Sequence, residues 1–428
     1  MPKGGKKKGG KKVVASLPPS DEEYDTGDNW STASVLSEDI SSISEDGENG
    51  ADDTTVVENF EDKLKDCIEG ISQKGGKGRI SCIETMAKLL SKKYVYDFLS
   101  DRKVTVSDGL LRCLKKGNGD EQAASAKCLS LLCVQLGNEI EDDFKEVHSL
   151  LLTILADNTA PVKARSECAA TLAMSNFLAC TDISVVDNTM LALENIFKGS
   201  YRKGDKSVPS HPQQISRLHA DALSAWSLLI SIAPTFSVQK KIEMHLSRLS
   251  DLLESADVEL RIVAGETIAL LYELAREEDE EYEGEDICTL CATLKNLATD
   301  SHKYRAKKDR KMQRSSFRDV LRAVEEGDEP DLAVKFGKEC VMIDSWSKRE
   351  QYDSLCQALT SGVNHHLQEN PAIREIFGLG PPIPVGNVPP QKVSKWERTH
   401  YNAALFKART KARSKHRDKR SVVMNGGD

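Results

Sequence analysis

The cations near the C-terminus carry the clearest chemical signal in this chain. From residue 391 to residue 420 the sequence contains eleven Lys and Arg but only two acids, Glu397 and Asp418. Ammonium and guanidinium groups bind phosphate oxygens and displace counterions from nucleic acid, so this composition predicts a phosphate-binding segment. The side chains predicted to bind phosphate are Lys407, Arg409, Lys411, Arg413, Lys415, Arg417, Lys419 and Arg420.

A long basic helix is predicted over residues 393–420. In its first half, Trp396 and Leu405 are predicted to anchor the helix, whereas its second half contains only Ala408 and Ala412 as apolar residues. Each residue turns a helix by about 100°, so cations at every second position lie on all sides of it. Such a helix lacks the apolar stripe needed to pack on a protein core or a membrane surface. We therefore favour a nucleic-acid environment; the alternative is a solvated tail or a nuclear-import signal.

A second basic run lies about ninety residues before the first. It extends from Lys303 to Arg318, with Asp309 as the one acid, and it leads into an amphipathic helical pattern through Phe317 and Val324. The pattern predicts either a second phosphate-binding patch or the solvated face of a helix. The candidate side chains are Lys303, Arg305, Lys307, Lys308, Arg310, Lys311 and Arg314.

Residues that could support catalysis or metal binding are isolated in the sequence. Cys288 and Cys291 are spaced as a zinc-ligand pair, but zinc needs four ligands and no second pair follows. His365 and His366 have no carboxylates around them, and the glycine-rich residues 74–78 lack the terminal Lys-Ser/Thr of a phosphate-binding loop. The sequence therefore predicts no enzyme, no catalytic residue, no metal, no cofactor and no small-molecule substrate.

The two ends of the chain differ in charge from its middle. Among 428 residues there are 59 Lys and Arg and 67 Asp and Glu, which gives a net charge of -8. The first twenty residues contain six Lys and no acid, and residues 21–62 contain fifteen acids and no Lys or Arg. Such composition cannot bury enough apolar surface to offset chain entropy, so residues 1–57 are predicted to be disordered.

The same composition bears on the cellular compartment. No apolar core follows the N-terminal Lys, so a secretory signal is not predicted, and no run of about 18 apolar residues predicts a membrane span. Eleven cysteines without a signal peptide indicate free thiols in a reducing compartment.

A repeated helical pattern must position these basic segments. Aromatic residues make up only 5% of the chain, and helix-forming residue types dominate. Five segments share a pattern of small and apolar residues, and they recur about every 42 to 52 residues, close to the period of armadillo and HEAT repeats. They begin at Arg79, Ala123, Arg165, Arg217 and Arg261. The longest interval contains a predicted loop insertion at 199–212; a helical bundle with chance similarity is the alternative.

Three segments of the chain resemble the interferon-related developmental regulator family. They are residues 405–420 (LFKARTKARSKHRDKR), residues 313–325 (QRSSFRDVLRAVE) and residues 261–271 (RIVAGETIALL). The resemblance implies an all-α armadillo/HEAT-like solenoid with a C-terminal domain specific to the family and no enzymatic activity. It also implies one of two roles. One is transcriptional co-regulation with histone-deacetylase complexes in differentiation, and the other is binding of idle ribosomes with the C-terminal helix in the mRNA path.

These observations predict a non-enzymatic regulator that binds ribosomes and ribosomal RNA through its basic helix and represses translation by occupying the mRNA path. The alternative is a nuclear transcriptional co-regulator whose solenoid binds co-repressor proteins. Both cytoplasmic and nuclear localisation are expected, and no membrane partner is. The predicted organisation is a disordered tail at 1–57, repeats at 58–300, the family-specific domain at 301–380, a Pro-rich linker at 381–392 and the basic helix at 393–420.

Overall fold

A computed structural model describes the chain from residue 53 to residue 383, apart from residues 181, 205–206, 285 and 300–306. Two predicted segments lie outside the described residues. They are the basic helix at 393–420, with its anchors Trp396 and Leu405, and most of the linker. The first helix begins at Asp53.

Sixteen α-helices, three short 3-10 helices and one β-hairpin form the part of the chain that the structure describes. The first eight are α1 (Asp53–Gly70), α2 (Gly76–Lys92), α3 (Tyr96–Ser100), α4 (Lys103–Lys116), α5 (Gly119–Leu136), α6 (Glu141–Ala156), α7 (Val162–Leu178) and α8 (Ile183–Phe197). They are followed by α9 (Gln213–Ile230), α10 (Thr235–Leu252), α11 (Val258–Glu278), α12 (Ile287–Thr299) and α13 (Lys307–Glu326). The remainder is β1 (Leu332–Phe336), β2 (Glu339–Ile343), α14 (Trp346–Leu359), α15 (Val363–Glu369) and α16 (Pro371–Ile376).

The long helices form two layers. Helices α2, α5, α7, α9, α11 and α13 pack on one another in that order, and we call them the front layer. Each is also packed against the helix before it in the back layer, which consists of α1, α4, α6, α8, α10 and α12. This stack of helix pairs confirms the predicted all-α, armadillo/HEAT-like solenoid, in which each pair covers the apolar face of its neighbour.

The repeated sequence pattern forms the front layer. Its five segments lie in α2, α5, α7, α9 and α11, and the side chains of Ala126, Ala169, Ala222 and Ala264 are completely buried. Small side chains at these positions let neighbouring helices approach closely. The Thr171 hydroxyl donates a hydrogen bond of 2.8 Å to the carbonyl of Ala126 in the adjacent helix. The pattern therefore marks the surfaces along which the repeats stack.

Two local features mark where elements of the repeats begin and end. The Asp257 carboxylate accepts a hydrogen bond of 3.0 Å from the Leu260 amide and so caps α11. The predicted insertion is the connection between α8 and α9, which begins with a short 3-10 helix at Lys198–Ser200.

The segment after the repeats departs from the sequence-based expectation in two places. The largely apolar residues 340–344 predict a short strand, and this strand is β2. It pairs antiparallel with β1, which the sequence pattern did not predict. The sequence from Trp346 to Leu367 predicts one continuous helix. Instead α14 ends at Leu359, and Thr360 adopts a φ of 51°, a conformation that a helix cannot continue through. A 3-10 turn then leads into α15, so the chain changes direction at this point.

Among the described helices, none has the length and apolarity that crossing a membrane requires.

Candidate nucleic-acid interface

Helix α13 carries the described part of the second basic run. Its apolar face is buried against α11 and α12, and the side chains of Phe317, Val320 and Val324 are fully covered. Gly265 of α11 makes room for the Phe317 ring, because a Cβ atom there would lie 2.6 Å from the ring carbon Cε1. The predicted amphipathic helix is therefore confirmed, and its orientation depends on a glycine within the repeat pattern.

Two polar contacts fix the register of α13. The buried guanidinium of Arg261 donates from Nη2 to Gln313 Oε1 at 2.6 Å. One turn later, the Ser316 hydroxyl donates to Glu266 Oε1 at 2.9 Å. Both partners lie on α11, so the sequence 261–271 holds the basic helix at a defined rotation.

This rotation turns one row of cations outward. Lys311, Arg318 and Arg322 are exposed, and their spacing of seven and four residues places them on one face of the helix. Arg310 and Arg314 are half-buried; Arg314 Nε donates to the carbonyl of Arg310 at 3.3 Å. The row of Lys311, Arg318 and Arg322 is exposed to solvent, and Arg322 also forms an ion pair with Asp319.

Only part of the predicted patch can be placed on this surface. Lys303 and Arg305 lie outside the described residues, and Lys307 and Lys308 belong to the first turn of α13. Arg322 was not among the predicted site residues, although its position four residues after Arg318 is a signal that could have identified it.

A buried arginine holds the chain in place just before it continues towards the C-terminal segment. The Arg374 side chain is 1% exposed, and it makes a two-pronged ion pair with Glu339 of β2, with Nη1–Oε2 and Nη2–Oε1 distances of 2.9 and 2.7 Å. Its Nε donates to the carbonyl of Gly380 at 2.6 Å, and Nη1 donates to that of Leu367 at 2.8 Å. The guanidinium also lowers the pKa of Glu339 through its hydrogen bonds. Arg374 thus ties the chain leading to the basic segment to the hairpin.

This arrangement was missed in the sequence. Asn370 and Pro371 form a recognisable helix start, and the Asn370 carboxamide oxygen accepts a hydrogen bond of 3.0 Å from the Ala372 amide. The partner of Arg374 lies 35 residues away in the chain, however, and no local pattern connects the two.

Each of the isolated cysteine and histidine pairs has one buried and one exposed member. On α12, Cys291 is buried and Cys288 is exposed. His365 is exposed, and His366 is buried with its Nε2 at 3.2 Å from the carbonyl of Leu90. Within the described residues, no three His, Cys, Asp or Glu side chains are grouped so as to hold a metal ion.

The glycine beneath α13 supplies a test of this geometry. We expect Gly265→Val to lower the free energy of unfolding by about 1–3 kcal/mol, because the branched side chain would collide with the Phe317 ring. Urea denaturation followed by circular dichroism measures the change. Gly204→Val is the control, since no atom lies within 4 Å of a Cβ built there. Equal stability of the two variants would contradict the proposed contact.

Comparison with known proteins places these features in a family. A family model described as interferon-related developmental regulator matches residues 29–325, and a second, described as interferon-related protein conserved region, matches residues 370–421. The chain is 44% identical to human interferon-related developmental regulator 1 over 391 residues, which are 90% of this chain and 86% of that protein. It is 41% identical to mouse interferon-related developmental regulator 2 over 391 residues, covering 90% and 89%.

Solved structures similar to the chain include designed armadillo repeat proteins. One is 15% identical, with a TM-score of 0.38, and covers 60% of this chain and 99% of its own.

The second of the two family models begins at Asn370, the residue that caps α16, and extends through the predicted basic helix. Helix α16, which contains Arg374, and the basic segment therefore lie within one region that the family model matches.

Proposed function

This chain belongs to the interferon-related developmental regulator family, and from this premise we propose that it is a non-enzymatic regulator of gene expression that binds ribosomal RNA. The basic segment at the C-terminus would be the main contact. The relatives that it matches are named developmental regulators, which supports a regulatory role and not a metabolic one.

The observation that carries the proposal is the charge of residues 391–420. Eleven cations and two acids in thirty residues produce an electrostatic attraction that only a dense array of anions can balance. The absence of an apolar stripe after Leu405 in the sequence argues against packing on a protein surface. A channel lined by ribosomal RNA offers phosphates on several sides, which suits a helix with cations on several sides.

Repression then follows from exclusion and requires no chemical step. A basic helix in the mRNA path would prevent mRNA from entering the same space. The exposed row on α13, Lys311, Arg318 and Arg322, would add a second contact with RNA, and the rigid stack of repeats would carry both contacts. Because the ribosome is the partner, we expect most of the protein to reside in the cytoplasm.

Salt dependence tests this proposal. If about eight cations neutralise phosphates, raising monovalent salt from 50 to 200 mM should weaken binding to ribosomes by about 10³-fold. Gradient sedimentation of the full-length protein with purified 80S ribosomes at several salt concentrations measures the slope. A fall of less than tenfold would show that phosphate contacts do not dominate the interaction and would overturn the proposal.

A second candidate is a nuclear transcriptional co-regulator. The same basic segment could serve as an import signal, and the relatives' names are compatible with control of transcription. Cell fractionation separates the two candidates. A chromatin-bound pool that persists when ribosomes are depleted favours the co-regulator, and a pool that follows the ribosomes favours the translational role.

A further inference from the structure

Helix α14 lies across the free face of the front layer, where it packs on α2, α5, α9 and α11. We propose that residues 346–376 are a permanent intramolecular occupant of this face, which closes it to partner peptides. We also infer that the same segment fixes the place from which the basic C-terminal segment leaves the repeats. This second inference rests on the proposed function.

The first end of α14 is held by a carboxylate of the front layer. Glu273 of α11 accepts hydrogen bonds from the amide of Trp346 at 2.5 Å, and from the amide and the hydroxyl of Ser347 at 2.9 Å each. A negative charge at the amino end of a helix also stabilises the helix dipole. Glu273 therefore acts as a cap supplied by the surface on which α14 lies.

The middle of α14 is packed and bonded to the same surface. The side chains of Tyr352, Leu355 and Leu359 are buried. Gln351 Nε2 donates to the hydroxyl of Ser231 at 3.1 Å, at the carboxyl end of α9. A cavity of about 220 Å³ remains between α14 and the helices α5, α7 and α9. Its lining includes hydroxyl groups and small side chains, and also the charged side chains of Lys127, Glu167, Arg217 and Asp221. Apart from this gap, α14 covers the front layer over α2, α5, α9 and α11.

The chain after the carboxyl end of α14 lies against the first repeats, where two backbone segments approach closely. A Cβ atom at Gly362 would lie 1.8 Å from the carbonyl oxygen of Ser91, so only glycine fits between α14 and α2. Burial lowers the pKa of His366 to about 4, and the neutral ring donates to the Leu90 carbonyl at 3.2 Å. Asn370 Nδ2 donates to the carbonyl of Val134 in α5 at 2.7 Å.

The path of the chain has a consequence for the basic segment. Residues 346–376 start on α11, near the last repeats, and finish on α2 and α5, at the first repeats. Arg374 then binds the carbonyl groups of Gly380 and Pro381. The chain therefore leaves towards its basic segment from the first repeats, and not from the end where α13 carries its exposed row of cations.

Hydrogen exchange of the full-length protein tests whether the occupant is permanent. In the free protein, we expect the amides of residues 350–359 to exchange at least 10³-fold more slowly than in an unfolded chain, because the helix is buried on one side and bonded at both ends. Addition of 80S ribosomes should leave their rates unchanged within about threefold. Fast exchange in the free protein, or a clear increase on ribosome binding, would show that the face opens and would overturn the inference.

Two matched variants test the cap. Glu273→Gln keeps the shape but removes the charge, and it should speed exchange of the first turns of α14 about tenfold while the amides of α7 keep their rates. Glu277→Gln, an exposed position one turn later on α11, should change nothing. Equal rates in both variants would contradict the role of Glu273. If the wild-type protein does not bind ribosomes, the proposed function fails, whereas exchange in the free protein still decides whether α14 occupies the face.

Discussion

Replacing Arg409, Lys411, Arg413, Lys415 and Arg417 by Glu should abolish co-sedimentation with 80S ribosomes at physiological salt. Each cation that neutralises a phosphate releases a counterion, and the loss of five such contacts weakens binding by about 10³-fold before repulsion is counted. The five new carboxylates add repulsion from the RNA, so the bound fraction should fall below detection. Sucrose-gradient sedimentation with quantitative blotting measures it.

The control for this variant changes net charge equally at other places. Five exposed cations on the repeats are suitable for the same replacement by Glu: Lys145, Lys163, Lys203, Lys240 and Arg248. If binding depends on the C-terminal segment, this control should retain at least about a tenth of the wild-type affinity, since only long-range attraction is reduced. Survival of binding in the C-terminal variant, or its loss in both variants, would show that the basic segment is not the anchor.

The second large effect is expected at Arg374. Arg374→Met should lower the free energy of unfolding by about 3 kcal/mol, because it removes a buried guanidinium and leaves a partly exposed carboxylate and several backbone carbonyls without their donor. Here Glu339 would lose both of its guanidinium bonds, and the carbonyl of Gly380 would lose its donor. Urea denaturation measures the overall change, and limited proteolysis near residue 380 reports the release of the chain.

Two further variants separate charge from geometry at this site. Arg374→Lys keeps the charge but cannot make the two-pronged pair, so an intermediate loss is expected. Arg322→Met removes an exposed arginine whose ion pair with Asp319 lies within one helical turn, and it should cost less than about 0.5 kcal/mol. If Arg374→Met were as stable as Arg322→Met, the buried pair would not hold the segment in place.

The stack of repeats could be predicted because its determinants are local and periodic. The small residues of the front layer recur at helical spacing, and each repeat contacts only its neighbours, so one pattern specifies the whole array. Capping by Asp257 and the amphipathic face of α13 follow from residues three or four positions apart. The family membership is also confirmed, since long strings of residues carried that resemblance.

The errors lie where distant contacts overrode local preference. The predicted helix through Leu367 stops at Leu359 because the chain must turn to bring Gly362 against Ser91, more than 270 residues earlier in the sequence. Strand β1 was missed because its alternation is short and it is stabilised by β2 and by packing on α15. The predicted domain boundaries and the phosphate-binding role of the basic residues stay predictions.

By itself, the sequence determined a helical repeat protein with one strongly cationic end, since helix propensity, small-residue periodicity and charge are properties of neighbouring residues. Only the tertiary structure decided that α14 covers the front layer and that Arg374 pairs with Glu339. These contacts join residues 35 to 276 positions apart, and their partners are chosen by how the folded surfaces fit and by which buried polar groups must find one another.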